Sequence, residues 1–217
     1  MLMKGVSRCI LFLFLVLLPS FAQQTPFNRV EISSGYSLLR TPSLSMNQHG
    51  FSGSVGFNVS RWLGLNTDFS VYGGSGNPTL ADTKLAPLFP AISTNIPMSR
   101  TTSLMTFGPQ INMRQHKFIM PWVRAGLGFF HSSSTYNFGG LGAGATLPSG
   151  VSQNMTDTGL ALRVGGGVDF KVTNDFSIRT GVDYVYANPD QVVFKNMGAF
   201  TFSIGTKWSL SPVQRRR

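Results

Sequence analysis

The segment from Phe200 to Leu210 alternates regularly enough to limit what this chain can fold into. Successive side chains of a β-strand point to opposite faces, so this segment has one apolar face and one polar face. The apolar face carries Phe200, Phe202, Ile204, Trp208 and Leu210, and the polar face carries Thr201, Ser203, Gly205 and Lys207. The same two-sided pattern recurs along most of the chain, and such repetition is typical of a transmembrane β-barrel.

Residues 1–22 have the features of a secretory signal peptide. Lys4 and Arg8 precede an apolar run from Ile10 to Leu18, and Ser20 to Ala22 forms a small-x-small cleavage site. The run has about half of the roughly 20 residues that a membrane-spanning helix needs, which argues against an uncleaved anchor. We predict cleavage after Ala22. The single cysteine, Cys9, lies before the run, so the mature chain has neither thiol chemistry nor a disulfide.

The composition favours a barrel that faces lipid over a soluble domain. Only 12% of the 217 residues are charged, whereas the chain contains 24 glycines and 18 phenylalanines. The formal charge of +10 could indicate nucleic acid, but the basic residues neither cluster nor interleave with a recognition helix. We therefore expect no nucleic-acid partner, and we expect anionic lipid headgroups to provide the counter-charge.

Alternating segments occur eight times, which predicts an all-β, eight-stranded antiparallel up-and-down transmembrane barrel over residues 23–210. The first apolar residues of these segments are Val30, Phe51, Leu63, Met105, Val123, Leu160, Phe176 and Phe200. A soluble β-sandwich would also alternate, but its outward face would be charged rather than rich in Leu, Phe, Val and Met. Residues 211–217 follow the predicted barrel as a short basic tail.

The connections between the predicted strands alternate in length. Short turns are predicted at 60–62, 115–117 and 173–175, and longer connections at 40–49, 73–99, 132–157 and 188–197. Barrels of the outer membrane have short periplasmic turns and long external loops. Because the strand count is even, this arrangement predicts that both termini are periplasmic.

Four sequence runs resemble the OmpA-like outer membrane β-barrel proteins: Arg61 to Ser70, Phe107 to Ile111, Gly167 to Phe170 and Arg179 to Tyr184. The resemblance extends over roughly Phe27 to Leu210 and implies the barrel fold. The closing segment is similar to the family's C-terminal signal for the barrel assembly machinery, with Ser203, Gly205, Trp208 and Leu210 at the signal positions. It departs from the usual form because Ser211 to Arg217 follow it. No peptidoglycan-binding domain follows the barrel, so a wall-anchoring role is not implied.

Strand parity predicts that a set of charged residues points into the barrel. These are Arg29, Glu31, Asp68, Arg114, Arg124, Arg163, Asp169, Arg179, Asp183 and Lys207. An eight-stranded barrel is only wide enough for side chains to fill it, and charges buried there must be paired. The set can be interpreted as a gated, ion-selective pore or as a salt-bridged plug. We favour the plug because so narrow an interior leaves little room for a continuous column of water.

The aromatic residues predict the two membrane interfaces. Trp62, Trp122 and Trp208 each lie next to a short turn or a chain end, so they are predicted to form an aromatic rim on the periplasmic side. Tyr72 and Phe129 are predicted to mark the external side. Parity within a strand assigns Trp208 to the outward face, whereas a turn next to Trp62 or Trp122 can reset the face that its side chain takes.

The sequence indicates no catalytic, cofactor or metal site. His131 precedes Ser132 at the external end of a strand, but adjacent residues of a strand point to opposite faces and cannot form a nucleophile–base pair. The run Gly140 to Ala145 lacks the following helix that a dinucleotide fingerprint requires. With three histidines and few acids, a dedicated metal site is not expected either.

The leading functional hypothesis is therefore a structural or interaction barrel that works through its external loops. Its longest loop includes the apolar, proline-rich stretch from Leu80 to Pro97. A small ion or solute channel is the alternative, and a lipid-modifying enzyme of the outer membrane is the third possibility. Expected partners are outer membrane lipids, lipopolysaccharide and, during biogenesis, the barrel assembly machinery. We expect a monomer.

Overall fold

A computed structural model describes residues 29–78, 97–114, 118–137, 154–189 and 197–210. The predicted leader 1–22 and the tail 211–217 lie outside these residues, as do most of the Leu80–Pro97 stretch and the run Gly140 to Ala145. The strands are β1 (Val30–Thr41), β2 (Met46–Asn58), β3 (Leu63–Gly76), β4 (Met98–Asn112), β5 (Ile119–Tyr136), β6 (Asn154–Lys171), β7 (Phe176–Pro189) and β8 (Met197–Leu210).

The eight strands form a closed, antiparallel, up-and-down barrel, which confirms the predicted fold. Each strand pairs with its neighbours in sequence, and β1 pairs with β8 from Val30↔Leu210 to Arg40↔Phe200. Closure leaves no strand with unpaired edge groups, which a bilayer requires of any spanning sheet. None of the described residues belongs to a helix long and apolar enough to cross a bilayer.

The two faces of the wall differ as strand alternation predicts. Large apolar side chains are exposed on the outside of every strand, whereas the charged and small polar side chains are buried inside. In water such an outer surface would aggregate, but in a bilayer it is the expected band of lipid-facing residues. Examples from successive strands are Ile32, Phe57, Phe69, Met105, Leu127, Leu162, Val182 and Ile204.

The prediction of a long connection at 40–49 is wrong. β1 continues to Thr41 and β2 begins at Met46, with Arg40 paired to Asn47 and Leu39 to Gln48. Only a 3₁₀ turn, Pro42–Leu44, separates the two strands. It is closed by Ser45, which adopts a left-handed backbone conformation and donates its N–H to the Pro42 carbonyl at 3.0 Å. The segment from Thr41 to Asn47 therefore makes a tight hairpin rather than a loop.

Two of the short turns are built in the same way. Val59 and Ser60 both donate their N–H to the Leu63 carbonyl at 2.9 Å, and Val172 and Thr173 both donate to the Phe176 carbonyl at 3.0 Å. The hydroxyl groups of Ser60 and Thr173 then accept from the backbone N–H of the residue three positions later. These side-chain hydrogen bonds hold this end of the barrel, the short-turn end, in a defined shape.

Candidate functional site

The barrel interior divides into a charged half near the short turns and an apolar layer nearer the long connections. In the middle of the charged half, the Asp183 carboxylate accepts hydrogen bonds from both Arg124 and Arg163 at 2.7–2.9 Å. It also accepts a hydrogen bond from the Thr201 hydroxyl at 3.1 Å. Arg124 also donates to Asp68, whose second oxygen accepts from the Asn66 amide at 2.8 Å. We call this group the central cluster.

A second group, the lower cluster, lies closer to the short turns. Glu31 pairs with Arg114 at 2.6 Å and with Lys207 at 3.4 Å. Lys207 also contacts Asp169 at 2.6 Å, and Asp169 accepts two hydrogen bonds from Arg179 at 2.7 and 3.0 Å. Every acid of the two clusters thus faces more than one donor, which is what a buried carboxylate needs to remain stable.

The structure brings together all of the predicted interior charges except one. Arg29 is exposed and precedes β1, so its parity does not carry it into the barrel. The Arg29 carbonyl accepts a hydrogen bond from the backbone N–H of Asn58 at 2.7 Å, and this contact places Arg29 beside the β2–β3 turn. The prediction failed because parity holds only within a strand, and the first residue before a strand can turn away.

Trp122 lies inside the barrel, which corrects its predicted place on the lipid-facing rim. Its side chain is only 1% exposed, and the guanidinium groups of Arg124 and Arg179 lie over its ring at 4.9 and 4.8 Å from the centroid. Glycines 167 and 181 line its outer edge, where a larger side chain would meet the indole. Cation–π contacts therefore connect the central cluster to the lower cluster through this ring.

Trp62 and Trp208 are exposed on the outside, at 48% and 53%. Trp208 packs edge-on against Phe176 with 4.8 Å between ring centroids. On the other side of the membrane band Phe129 is exposed, but Tyr72 is buried inside, where its hydroxyl is 3.1 Å from that of Ser37. Tyr72 was therefore misplaced by the sequence prediction, because Val71 rather than Tyr72 has the outward parity in β3.

Sequence reasoning missed the apolar layer altogether. The stagger of the strands brings a ring of buried residues to a similar height: Leu39, Tyr72, Leu104, Phe130, Ala161, Val185, Ala187 and Ala199. The signal was present where two adjacent residues are both apolar, as in Leu38-Leu39 and Phe129-Phe130. In a strand such pairs supply one apolar side chain to each face.

A polar group caps this layer toward the long connections. The Gln48 amide donates to the Arg100 carbonyl at 3.0 Å, and Arg100 donates to the Ser132 hydroxyl at 2.8 Å. Asp157, the direct partner of Ser132 in β6, is also buried. His131 points outward and contacts the Thr158 hydroxyl at 2.8 Å, so the wall separates it from Ser132.

The charged half contains a cavity of about 30 Å³ beside Trp122, Arg124 and Arg179. That is room for one or two water molecules. From the short turns upward, the described part of the interior thus consists of paired charges around the Trp122 ring, then the apolar layer, then the polar group of Gln48, Arg100 and Ser132.

The four residues of the predicted assembly signal lie on the strand that closes the barrel. Trp208 and Leu210 face outward and are exposed. The Ser203 hydroxyl donates to the Gly181 carbonyl at 3.4 Å. Gly205 is directly opposite Gly35 of β1, and a Cβ on either residue would collide with the backbone of the other strand.

A closed barrel of eight strands with an apolar exterior and a paired ionic interior defines a transmembrane protein of the bacterial outer membrane. The model of the outer membrane protein beta-barrel domain family matches residues 9–209, and the chain belongs to that family. The predicted family resemblance is confirmed at this level. Comparison with curated protein sequences finds no match.

One solved structure shows the same fold, and two others are less similar. Neisserial surface protein A superposes with a TM-score of 0.54 at 15% identity, covering 86% of this chain and 100% of that one. OprG from Pseudomonas aeruginosa has a TM-score of 0.48 at 10% identity, covering 86% and 98%. The N-terminal barrel of OprF from the same organism has a TM-score of 0.44 at 14% identity, covering 85% and 100%.

Proposed function

We propose that this outer membrane barrel is a non-conducting scaffold that presents its long connections for interaction at the cell surface. The observation that carries the proposal is the unequal height of the wall. β5 and β6 have 18 residues each, whereas a tilted transmembrane strand needs about 9–11. The additional residues of β5 and β6 lie at the ends that the long connections join. The wall of the barrel formed by these two strands therefore extends beyond the membrane.

The outer face of this extension is polar and mostly uncharged. Above the last lipid-facing residues, β4, β5 and β6 expose Ser99, Thr101, His131, Ser133, Thr135, Asn154, Thr156 and Thr158. Cross-strand hydrogen bonds such as Thr135 to Asn154 at 3.0 Å stiffen it. A rigid, hydroxyl-rich wall in water is suited to holding connecting segments away from the bilayer, where partners can reach them.

The proposed orientation has the short turns and both termini in the periplasm, after removal of the leader 1–22. Val30 at the start of β1 pairs with Leu210 at the end of β8, at the end of the barrel that holds the short turns. In this orientation Ser203, Gly205, Trp208 and Leu210 are available to the barrel assembly machinery. Arg40 is exposed at the opposite end, a suitable position for contact with lipopolysaccharide phosphates. We propose a monomer without nucleic-acid partners.

A channel is less well supported, because a solute would have to cross the apolar layer and both ionic clusters. We also assign no catalytic step, since the serine and histidine considered from the sequence lie on opposite sides of the wall.

Two measurements test the scaffold proposal. Purified full-length protein in planar bilayers is expected to give no unitary conductance, and reproducible conductance steps would contradict the proposal. In cells, residues 138–153 between β5 and β6 are replaced by a short Gly/Ser linker. Binding of these cells to a panel of protein- and polysaccharide-coated surfaces is then expected to fall.

The matched control replaces residues 190–196, which join the shorter strands β7 and β8. Both variants must retain the gel shift on heating that marks a folded barrel. Unchanged surface binding by the 138–153 variant, or an equal loss in the control, would contradict a role for the extended wall.

A further inference from the structure

A groove lies at the rim of the short-turn end, between the β2–β3 turn and the last residues of β4. It has a volume of about 330 Å³ and is lined by Arg61, Trp62, Ile111, Asn112, Met113 and Arg114. The groove sits where the apolar exterior of the barrel meets the short turns. Any lipid molecule next to β3 and β4 must place its headgroup near this level.

The groove is preformed by backbone hydrogen bonds. The Ser60 hydroxyl accepts from the N–H groups of Trp62 and Leu63 at 3.3 and 3.0 Å. The Trp62 carbonyl in turn accepts from Asn112 of β4 at 2.7 Å, which fixes the turn against the neighbouring strand. Binding in a site that is already ordered costs less conformational entropy.

The charges around the groove favour an anion. Arg61 is exposed on the turn, and Arg114 of the lower cluster lines the same groove from the barrel interior. The exposed Arg29 is held beside the same turn through its contact with Asn58. Glu31 is the carboxylate that contacts Arg114, and it is shared with Lys207. The described part of this sector thus has more positive than negative charge, and an arginine pair suits the geometry of a phosphate group.

The apolar residues of the groove indicate that the anion carries an acyl chain. Ile111 and Met113 point outward and are exposed, and Trp62 exposes its indole beside them. Tryptophan favours the level between acyl chains and headgroups, while basic pockets at a membrane surface bind acidic lipids. A free phosphate would leave these apolar surfaces uncovered.

We propose that this groove is a binding site for an anionic phospholipid of the leaflet at the short-turn end. Its phosphate lies between Arg61 and Arg114, and an acyl chain follows Ile111 and Met113. This site is separate from the long connections and goes beyond the scaffold function. The bound lipid would fix the barrel's depth and rotation in the bilayer.

Tryptophan quenching by brominated lipid tests the site directly. The Trp208→Phe variant leaves Trp62 as the one exposed tryptophan, because Trp122 is enclosed in the barrel. The full-length variant is inserted into phosphatidylcholine vesicles that contain either brominated phosphatidylglycerol or brominated phosphatidylcholine. We expect half-maximal quenching at a mole fraction about fivefold lower for the brominated phosphatidylglycerol, since one basic residue contributes about 1 kcal/mol.

Adding Arg61→Gln is expected to remove this preference, and Arg114→Gln to reduce it. Arg40→Gln is the matched control. Arg40 is an exposed arginine at the opposite end of the same barrel, so any lipid that it contacts lies in the other leaflet and does not report on Trp62. Folding of each variant is checked by its gel shift on heating. Equal quenching by the two lipids, retention of the preference in Arg61→Gln, or an equal loss in Arg40→Gln would overturn the proposal.

Discussion

At the scale of the residue, Asp183 shows how the interior tolerates buried charge. It accepts from Arg124, Arg163 and Thr201, so its removal leaves two guanidinium groups without their shared carboxylate. Removing one partner of a buried ion pair lowers the free energy of unfolding by about 3–5 kcal/mol.

We therefore expect Asp183→Asn to lower the free energy of unfolding by about 3 kcal/mol. Urea titration of the micelle-bound barrel, followed by tryptophan fluorescence, measures this change. Asp175→Asn, an exposed acid in the β6–β7 turn, is the control and is expected to have little effect. A similar loss in both variants would mean that the central cluster is not a special source of stability.

The charged residues were predictable because a charge in a strand can avoid lipid only by pointing inward. Aromatic residues carry no such constraint. Trp122 and Tyr72 suit either a membrane interface or an enclosed site, and their faces depend on a register that the turns determine. Strand parity thus identifies nine of the interior charges but does not separate Trp122 from Trp62.

At the scale of the element, the seam between β1 and β8 depends on glycine. The main chains approach so closely at Gly35 and Gly205 that a Cβ on Gly205 would overlap the Ser34 carbonyl. The residue that resembles part of an assembly signal therefore also has a role in the closed barrel.

We expect Gly205→Ala to reduce stability by about 1–3 kcal/mol, as is usual when a tightly packed site is overfilled. Thermal loss of the gel shift measures the effect. Gly53→Ala is the matched control, because a Cβ there would lie 3.6 Å from its nearest neighbour, an ordinary contact. If the two substitutions lowered the transition temperature equally, close approach at the seam would not be the cause.

Strand count and pairing order followed from the alternation, whereas strand ends did not. Above the membrane both faces of a strand meet polar surroundings, so residues such as Ser132 to Thr135 lose the alternation that marks a strand. Thr41 to Asn47 looked like a loop because its turn residues, Pro42 to Ser45, interrupt the alternation between β1 and β2. The apolar layer was missed because the interior was assumed to be polar throughout.

At the scale of the whole molecule, two different barriers lie in series along the barrel axis. The ionic clusters close the half near the short turns, and the apolar layer closes the half near the long connections. A hydrophobic constriction blocks ions by excluding water, whereas paired side chains block them by filling the space. Because the two barriers lie in series, either one alone should be sufficient to block the passage of ions.

Conductance of variants in planar bilayers should therefore depend on both barriers together. Tyr72→Ala/Phe130→Ala opens the apolar layer. Asp68→Ser/Arg124→Ser removes both ion pairs of Arg124, those with Asp68 and Asp183, from the central cluster, while Asp183 keeps its contact with Arg163. We expect neither double variant to conduct, and the quadruple variant to give small unitary currents, provided that each retains its gel shift. Conductance in the ionic double variant would show that the apolar layer is no barrier. A folded but silent quadruple variant would place the block elsewhere in the chain.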